Sequence, residues 1–208
     1  MRTSPNYNSF KSQSSFSVAY VARIGILAAV AAILMYIPPI KIPIMPTFIS
    51  LDFSDFPALL SSFAMGPVSG VLVCLLKNLI HMPVSGTSFI GELSNFLLGC
   101  CFVVPAGLIY KNRRTFKNAI FSSIVGSVSM AVGSFVINLF ITYPLYYRIG
   151  LSKNVILGMY QAVMPSVDSI TKSLLIFNVP FTLFKGLCSV IIVFLVYKRI
   201  SKFLKIKK

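Results

Sequence analysis

Charge is scarce in this chain, and acidic charge is nearly absent: 11% of its 208 residues are charged, with four Asp and Glu against nineteen Lys and Arg. A soluble domain of this length needs roughly a quarter charged residues to keep its surface wet. The 56% hydrophobic content is gathered into runs long enough to cross a bilayer, which takes about 20 residues per helix. A soluble fold would leave those runs unburied and is excluded. Catalytic and metal signatures are missing too. There is no H-E-x-x-H, no G-x-S-x-G and no G-x-x-x-x-G-K-[ST] phosphate loop, so zinc proteolysis, serine-elbow chemistry and ATP hydrolysis by that route have no residues to perform them. The four cysteines, Cys74, Cys100, Cys101 and Cys188, lie inside apolar segments without a C-x-x-C pair. They read as small packing residues between helices rather than metal ligands or disulfide partners.

What is present is a net charge of +15 whose basic residues sit between apolar runs rather than on a basic domain. Nucleic acid is therefore not the partner; membrane lipid is, with basic loops gathered on one side. Residues 1–16 are polar and rich in Ser and Asn, the composition of a disordered cytoplasmic leader. Residues 17–208 form a single all-α membrane domain of six transmembrane helices with a basic C-terminal tail. The spans cover 18–37, stopped by Pro38-Pro39, then 56–65, 68–82, 89–110, 119–143 and 176–197. The stretch 40–54 is broken by Pro43 and Pro46 and is not helical. Ser54 or Asp55 is a natural N-cap, with Pro57 in the first turn that follows. Residues 144–175 are too polar to span, and 155–164 suits a short interfacial helix.

With six spans both termini share a side with the basic loop 111–117. That side collects thirteen Lys and Arg: Arg2, Lys11, Arg23, four in the loop and six in the tail. The opposite side holds Lys41, Arg148, Lys153 and Lys172. The positive-inside rule places both termini in the cytoplasm, making the chain a multi-pass cell-membrane protein.

Ionisable and amide side chains within spans are costly and mark functional sites. Lys77, Glu92, Asn95, Asn138, Thr182 and Lys185 are the candidates. Glu92 and Asn95 are three residues apart and share a helical face, as do Thr182 and Lys185. In the six-span orientation Glu92, Asn138, Thr182 and Lys185 fall in the outer halves of their helices, level with the turn 83–88 and the loop 40–54. Such convergence suits a ligand pocket open to the outside. The structural alternative pairs Lys77 with Glu92 and has the asparagines bridge helix backbones. His81 lies near the outer interface, where a neutral hydrogen-bonded side chain is expected. On the first helix, Gly25 with Ala29 and Ala28 with Ala32 both have small-x-x-x-small spacing, which lets helices approach closely in lipid.

Taken together, four blocks resemble the riboflavin-specific S components of energy-coupling factor (ECF) transporters. They are Leu51-Asp52-Phe53-Ser54-Asp55-Phe56-Pro57-Ala58-Leu59, Leu76-Lys77-Asn78-Leu79-Ile80-His81 with Gly86-Thr87, Gly91-Glu92-Leu93-Ser94-Asn95-Phe96, and Val179-Pro180-Phe181-Thr182-Leu183-Phe184-Lys185-Gly186. The resemblance implies a six-helix protein that is no enzyme, carries no cofactor, and binds riboflavin near the extracellular face. It implies partnership with a membrane coupling subunit and two cytoplasmic ATPases, with Ala28 and Ala32 on the docking face. It also implies that the subunit topples in the membrane as it docks, carrying the pocket inward. Ser50, Leu51, Asp52, Asn138 and Lys185 match positions expected to touch the flavin or its ribityl chain. Thr182 stands where some relatives are expected to carry Asn, which would exchange an amide contact for a hydroxyl. Phe48, Leu51 and Phe53 could supply apolar walls for the planar ring. The same scaffold binding thiamine, biotin, a folate or a queuosine precursor is the competing expectation; an intramembrane enzyme built on Lys77, His81 and Glu92, or a purely structural scaffold, are others.

Overall fold

A computed structural model describes residues 17–37, 45, 49 and 51–204. The leader 1–16, together with Phe48 and Ser50, lies outside them. Nine α-helices are formed among the described residues: α1 (Val18–Tyr36), α2 (Asp55–Met65), α3 (Pro67–His81), α4 (Ile90–Asn112), α5 (Phe116–Ile137), α6 (Tyr143–Arg148), α7 (Lys153–Gln161), α8 (Ile170–Ser173) and α9 (Val179–Leu204). This is an all-α membrane protein: five helical segments are long and apolar enough to cross a bilayer.

Local chemistry sets the breaks. α1 stops at Tyr36, and Ile37 turns extended ahead of Pro38, because a residue before proline is disfavoured in the helical region. Gly66 joins α2 to α3 at φ 104°, a left-handed conformation that glycine adopts without a Cβ penalty, and Pro67 then opens α3 at a position that needs no N–H. Thr115 caps α5 by accepting the Asn118 N–H at 3.3 Å.

The stretch 144–175, expected to interrupt the spans, is partly helical and continuous with them. α5 runs into α6 through a π turn at Asn138–Thr142, and α8 runs into α9 through another at Leu174–Asn178. Each turn closes on a hydrogen bond reaching five residues back, Tyr143 N–H to Asn138 O and Val179 N–H to Leu174 O. Pro144 and Pro180 come directly after those bonds. A proline inside an α-helix lacks its N–H and clashes with the carbonyl four residues earlier; the wider turn moves that carbonyl aside, so the helix continues where the residue type predicts a stop. α7, close to the expected interfacial helix, is capped by Ser152 and buries Ile156 and Tyr160.

Small residues draw the helices together. α4 packs along α5 and α5 along α9, and Gly126 on α5 lies so close to α4 that an added Cβ would sit 2.7 Å from the Phe102 carbonyl oxygen. Gly126→Ala therefore forces the two helices apart, with an expected loss of about 1–3 kcal/mol that a lowered Tm in detergent would register.

Candidate functional site

The helix ends nearest α7 enclose a cavity of about 550 Å³, within the range of small-molecule sites. Its wall draws on six helix ends: Met35 and Tyr36 from α1, His81 from α3, Glu92, Ser94, Asn95 and Leu98 from α4, Met130 on α5 with Asn138 and Thr142 in its π turn, Tyr143 and Tyr146 from α6, and Asn178, Phe181, Thr182 and Lys185 at the start of α9. Asp52 closes it from the loop before α2. The first π turn delivers both Asn138 and Thr142 to this wall, and the second ends on Asn178, with Thr182 following on the first turn of α9. Widened turns are frequent at functional sites because they re-aim side chains.

One flank is ionic. Lys185 Nζ lies 2.9 Å from Asp52 Oδ2 and 3.1 Å from Asp55 Oδ2. Behind it Lys77, fully buried, reaches Asp55 Oδ1 at 2.5 Å and Ser54 Oγ at 2.7 Å. Ser54 donates its hydroxyl and, at 2.9 Å, its N–H to Asp52 Oδ1. Two ammonium groups thus balance two carboxylates, and the network ties the loop 51–54 to α3 and α9. Burial opposes the charged form of Asp52, yet Lys185 and Lys77 outweigh it, with help from Ser54, and hold its carboxyl well below the usual carboxylate range.

The opposite flank is polar and mostly committed. Glu92 faces His81 Nδ1 at 3.0 Å and accepts from Ser85 at 2.6 Å and Thr87 at 3.3 Å. Asn178 is held between Tyr160 and Tyr143. Asn95 Oδ1 is buried with no hydrogen-bond partner among the described residues. An orphaned acceptor in a cavity wall is costly, and it is a group that a ligand N–H or O–H could satisfy.

Of the residues anticipated from sequence, Asp52, Glu92, Asn95, Asn138, Thr182 and Lys185 meet on this wall. Leu51 is buried beside it rather than lining it, and Lys77 is not part of the lining. Lys77 is instead the inner counter-ion of Asp55, a residue that sequence reasoning treated only as a helix cap; Glu92, its anticipated alternative partner, pairs with His81. Ser54 is the N-cap residue of α2, but its side chain makes no cap hydrogen bond because the ionic network claims its hydroxyl. Asn178, Thr142 and Tyr143 escaped notice, although Asn178 sits one residue before Val179-Pro180 in an apolar run, the signal that could have raised it.

Ala28 and Ala32, the anticipated docking pair, are 2% and 4% exposed and face inward, where α1 packs against α2 and α3. The other small-residue register faces out: Gly25 and Ala29 are exposed, and nothing lies within 4 Å of a Cβ placed on Gly25.

The family model for the substrate-specific component of ECF transporters matches residues 19–197. The chain belongs to that family. As an S component it is a transport protein and not an enzyme. It is 34% identical over 182 residues to the riboflavin transporter RibU of Staphylococcus aureus (strain TCH60), covering 88% of this chain and 90% of the relative. It is 26% identical over 126 residues to the riboflavin transporter FmnP of Bacillus subtilis (strain 168), covering 59% and 66%. A solved S component of a bacterial ECF transporter superposes with a TM-score of 0.69 at 33% identity, over 89% of this chain and 97% of that one.

Proposed function

We propose that this S component binds riboflavin in the cavity and mediates its uptake with an energy-coupling module made of a membrane coupling subunit and two cytoplasmic ATPases. Riboflavin transporters among its relatives, at 34% identity over most of the chain, support the ligand. The carrying observation is the chemistry of the wall. The pyrimidine edge of a flavin alternates carbonyl, N–H and carbonyl. The cavity offers an acceptor in Asn95 Oδ1 that has no partner among the described residues, and donors in Asn178 and Lys185, with Met35, Leu98, Met130 and Phe181 as apolar surface. Polar groups at a few points in an apolar wall fix orientation, and the hydroxyls of Thr142 and Thr182 suit a ribityl chain.

The helix directions also support six crossings: α1, α3 and α5 run toward the cavity and α4 and α9 lead away from it, as does α2, which follows the Asp52 loop. α2, at about 16 Å by its eleven residues, is too short to face lipid alone; it crosses because α1, α3, α4 and α9 surround it. Both termini and the basic loop 111–117 then lie at the far end, cytoplasmic by charge, and the cavity opens outward in the cell membrane. Residues 17–208 act as one domain, with 1–16 as a leader. Docking of the coupling subunit falls to the outward face of α1 around Gly25 and Ala29, flanked by the exposed Ile26, Val30 and Ile33.

The absorption spectrum of the purified protein tests the ligand. Riboflavin bound through purification, or added riboflavin whose fluorescence is quenched at an equimolar end point, is the expected result. A colourless protein that leaves riboflavin fluorescence unchanged would sink the assignment.

A further inference from the structure

Tyr160 is fully buried on α7 and does not line the cavity, yet its hydroxyl reaches into the cavity wall. It donates to Asn178 Oδ1 at 2.6 Å. Its oxygen is also hydrogen-bonded to the Tyr143 hydroxyl. Because the Tyr160 proton is given to Asn178, Tyr143 must be the donor of that pair. Asn178 Nδ2 in turn lies 3.4 Å from the Tyr143 oxygen as a donor. The three side chains close a ring in which each gives one hydrogen bond and receives one. Burial pushes the Tyr160 phenol far above the usual tyrosine range, so it stays a donor. Its ring packs on Phe177 with centroids 5.4 Å apart, which fixes where the hydroxyl points.

The ring has a direction. Asn178 turns its oxygen toward Tyr160, away from the cavity, and its nitrogen toward Tyr143, which lines the cavity with it. An amide nitrogen carries two N–H groups; one is used on Tyr143, and because Asn178 lines the cavity the other is available to a ligand there. We propose that Tyr160 is a positioning residue for ligand recognition: through this ring it sets Asn178 as a hydrogen-bond donor to a carbonyl or ring nitrogen of the flavin. The inference rests on the riboflavin reading above. It makes α7, an element outside the membrane-crossing helices, a determinant of what the cavity selects.

Tyr160→Phe keeps the aromatic ring and deletes the hydroxyl. The Asn178 amide then loses its fixed orientation, and riboflavin affinity in detergent is expected to fall about tenfold, the worth of one well-placed hydrogen bond. Two readouts separate positioning from packing. The long-wavelength absorption bands of bound riboflavin respond to hydrogen bonds at the ring, so Tyr160→Phe and Asn178→Ala should displace them in the same way. In the double variant the Tyr160 change should have no further effect on affinity. An unchanged affinity and spectrum in Tyr160→Phe, or full additivity with Asn178→Ala, would overturn the proposal. If Tyr160→Phe fails to fold, Asn178→Ala decides alone, since wild-type affinity and spectrum in that variant remove the donor role. Wild-type protein that leaves riboflavin unquenched would instead bring down the riboflavin reading, and this one with it.

Discussion

Lys185→Met is expected to abolish high-affinity riboflavin binding and to destabilise the folded protein together. The ammonium sits 2.9 Å from Asp52 and 3.1 Å from Asp55, and its side chain is 9% exposed. Removing one partner of a buried ion pair costs about 3–5 kcal/mol, because the charge left behind has neither water nor a counter-ion. Asp52 takes most of that loss. Asp55 keeps its direct contact with Lys77, whereas Asp52 keeps direct contact only with Ser54 among the described residues and feels Lys77 from farther away. Adding Asp52→Asn to Lys185→Met should therefore recover a large part of the thermal stability. It should not recover binding, since Lys185 also faces the cavity; a lost hydrogen bond to a charged donor weakens affinity by roughly 10–100-fold. Fluorescence titration beside a melting curve for the single and double variants separates the effects. A double variant that regains both would reduce Lys185 to a structural counter-ion. The sign of the pH dependence follows from the depressed Asp52 carboxyl. Its contribution is complete above the usual carboxylate range and is lost only as the pH falls through the lower folded value, so the ionic flank should survive mild acid.

Much of this architecture is written in the residue pattern, and the gaps have identifiable causes. Apolar runs, proline stops and basic loops mark the long helices because lipid forces every backbone polar group into a helix. The π turns are hidden: Pro144 predicts a break and the span 176–197 runs through Pro180 unmarked, and only the packed helix shows that a wider turn precedes each proline. That shift also concealed Asn178, which seemed to stand at the edge of a span and in fact lines the cavity. Spacing alone assigned Glu92 and Asn95 to one face and Thr182 and Lys185 to another, and all four meet on the wall. It could not choose between the two small-residue registers of α1. Ala28 with Ala32 and Gly25 with Ala29 have the same spacing, and which pair turns inward depends on where α2 and α3 sit. Nor could it tell the two intramembrane lysines apart. Both lie within apolar spans, Lys77 mid-helix and Lys185 in the outer half, and their acidic partners come from a loop and a helix start far away in sequence.

That last ambiguity is resolved by a contrast between the lysines. Lys77→Met is expected to destabilise the protein as severely as Lys185→Met, by about 3–5 kcal/mol, while leaving riboflavin affinity in the folded fraction within about threefold of wild type, under 1 kcal/mol. Lys77 is fully buried, 2.5 Å from Asp55 Oδ1, and absent from the cavity wall. Its loss leaves one buried ammonium, Lys185, to serve both Asp52 and Asp55, but Asp52 and Lys185 still face the ligand. The neutralising companion is Asp55→Asn: Lys77→Met with Asp55→Asn removes the excess carboxylate charge and should restore most of the Tm. The two lysines then divide one ionic network into an inner pair that holds α2 against α3 and an outer pair that meets the ligand. A well-folded Lys77→Met protein that had lost riboflavin binding would contradict this division. It would mean that the inner ammonium reaches the flavin, as its place in the apolar run first suggested.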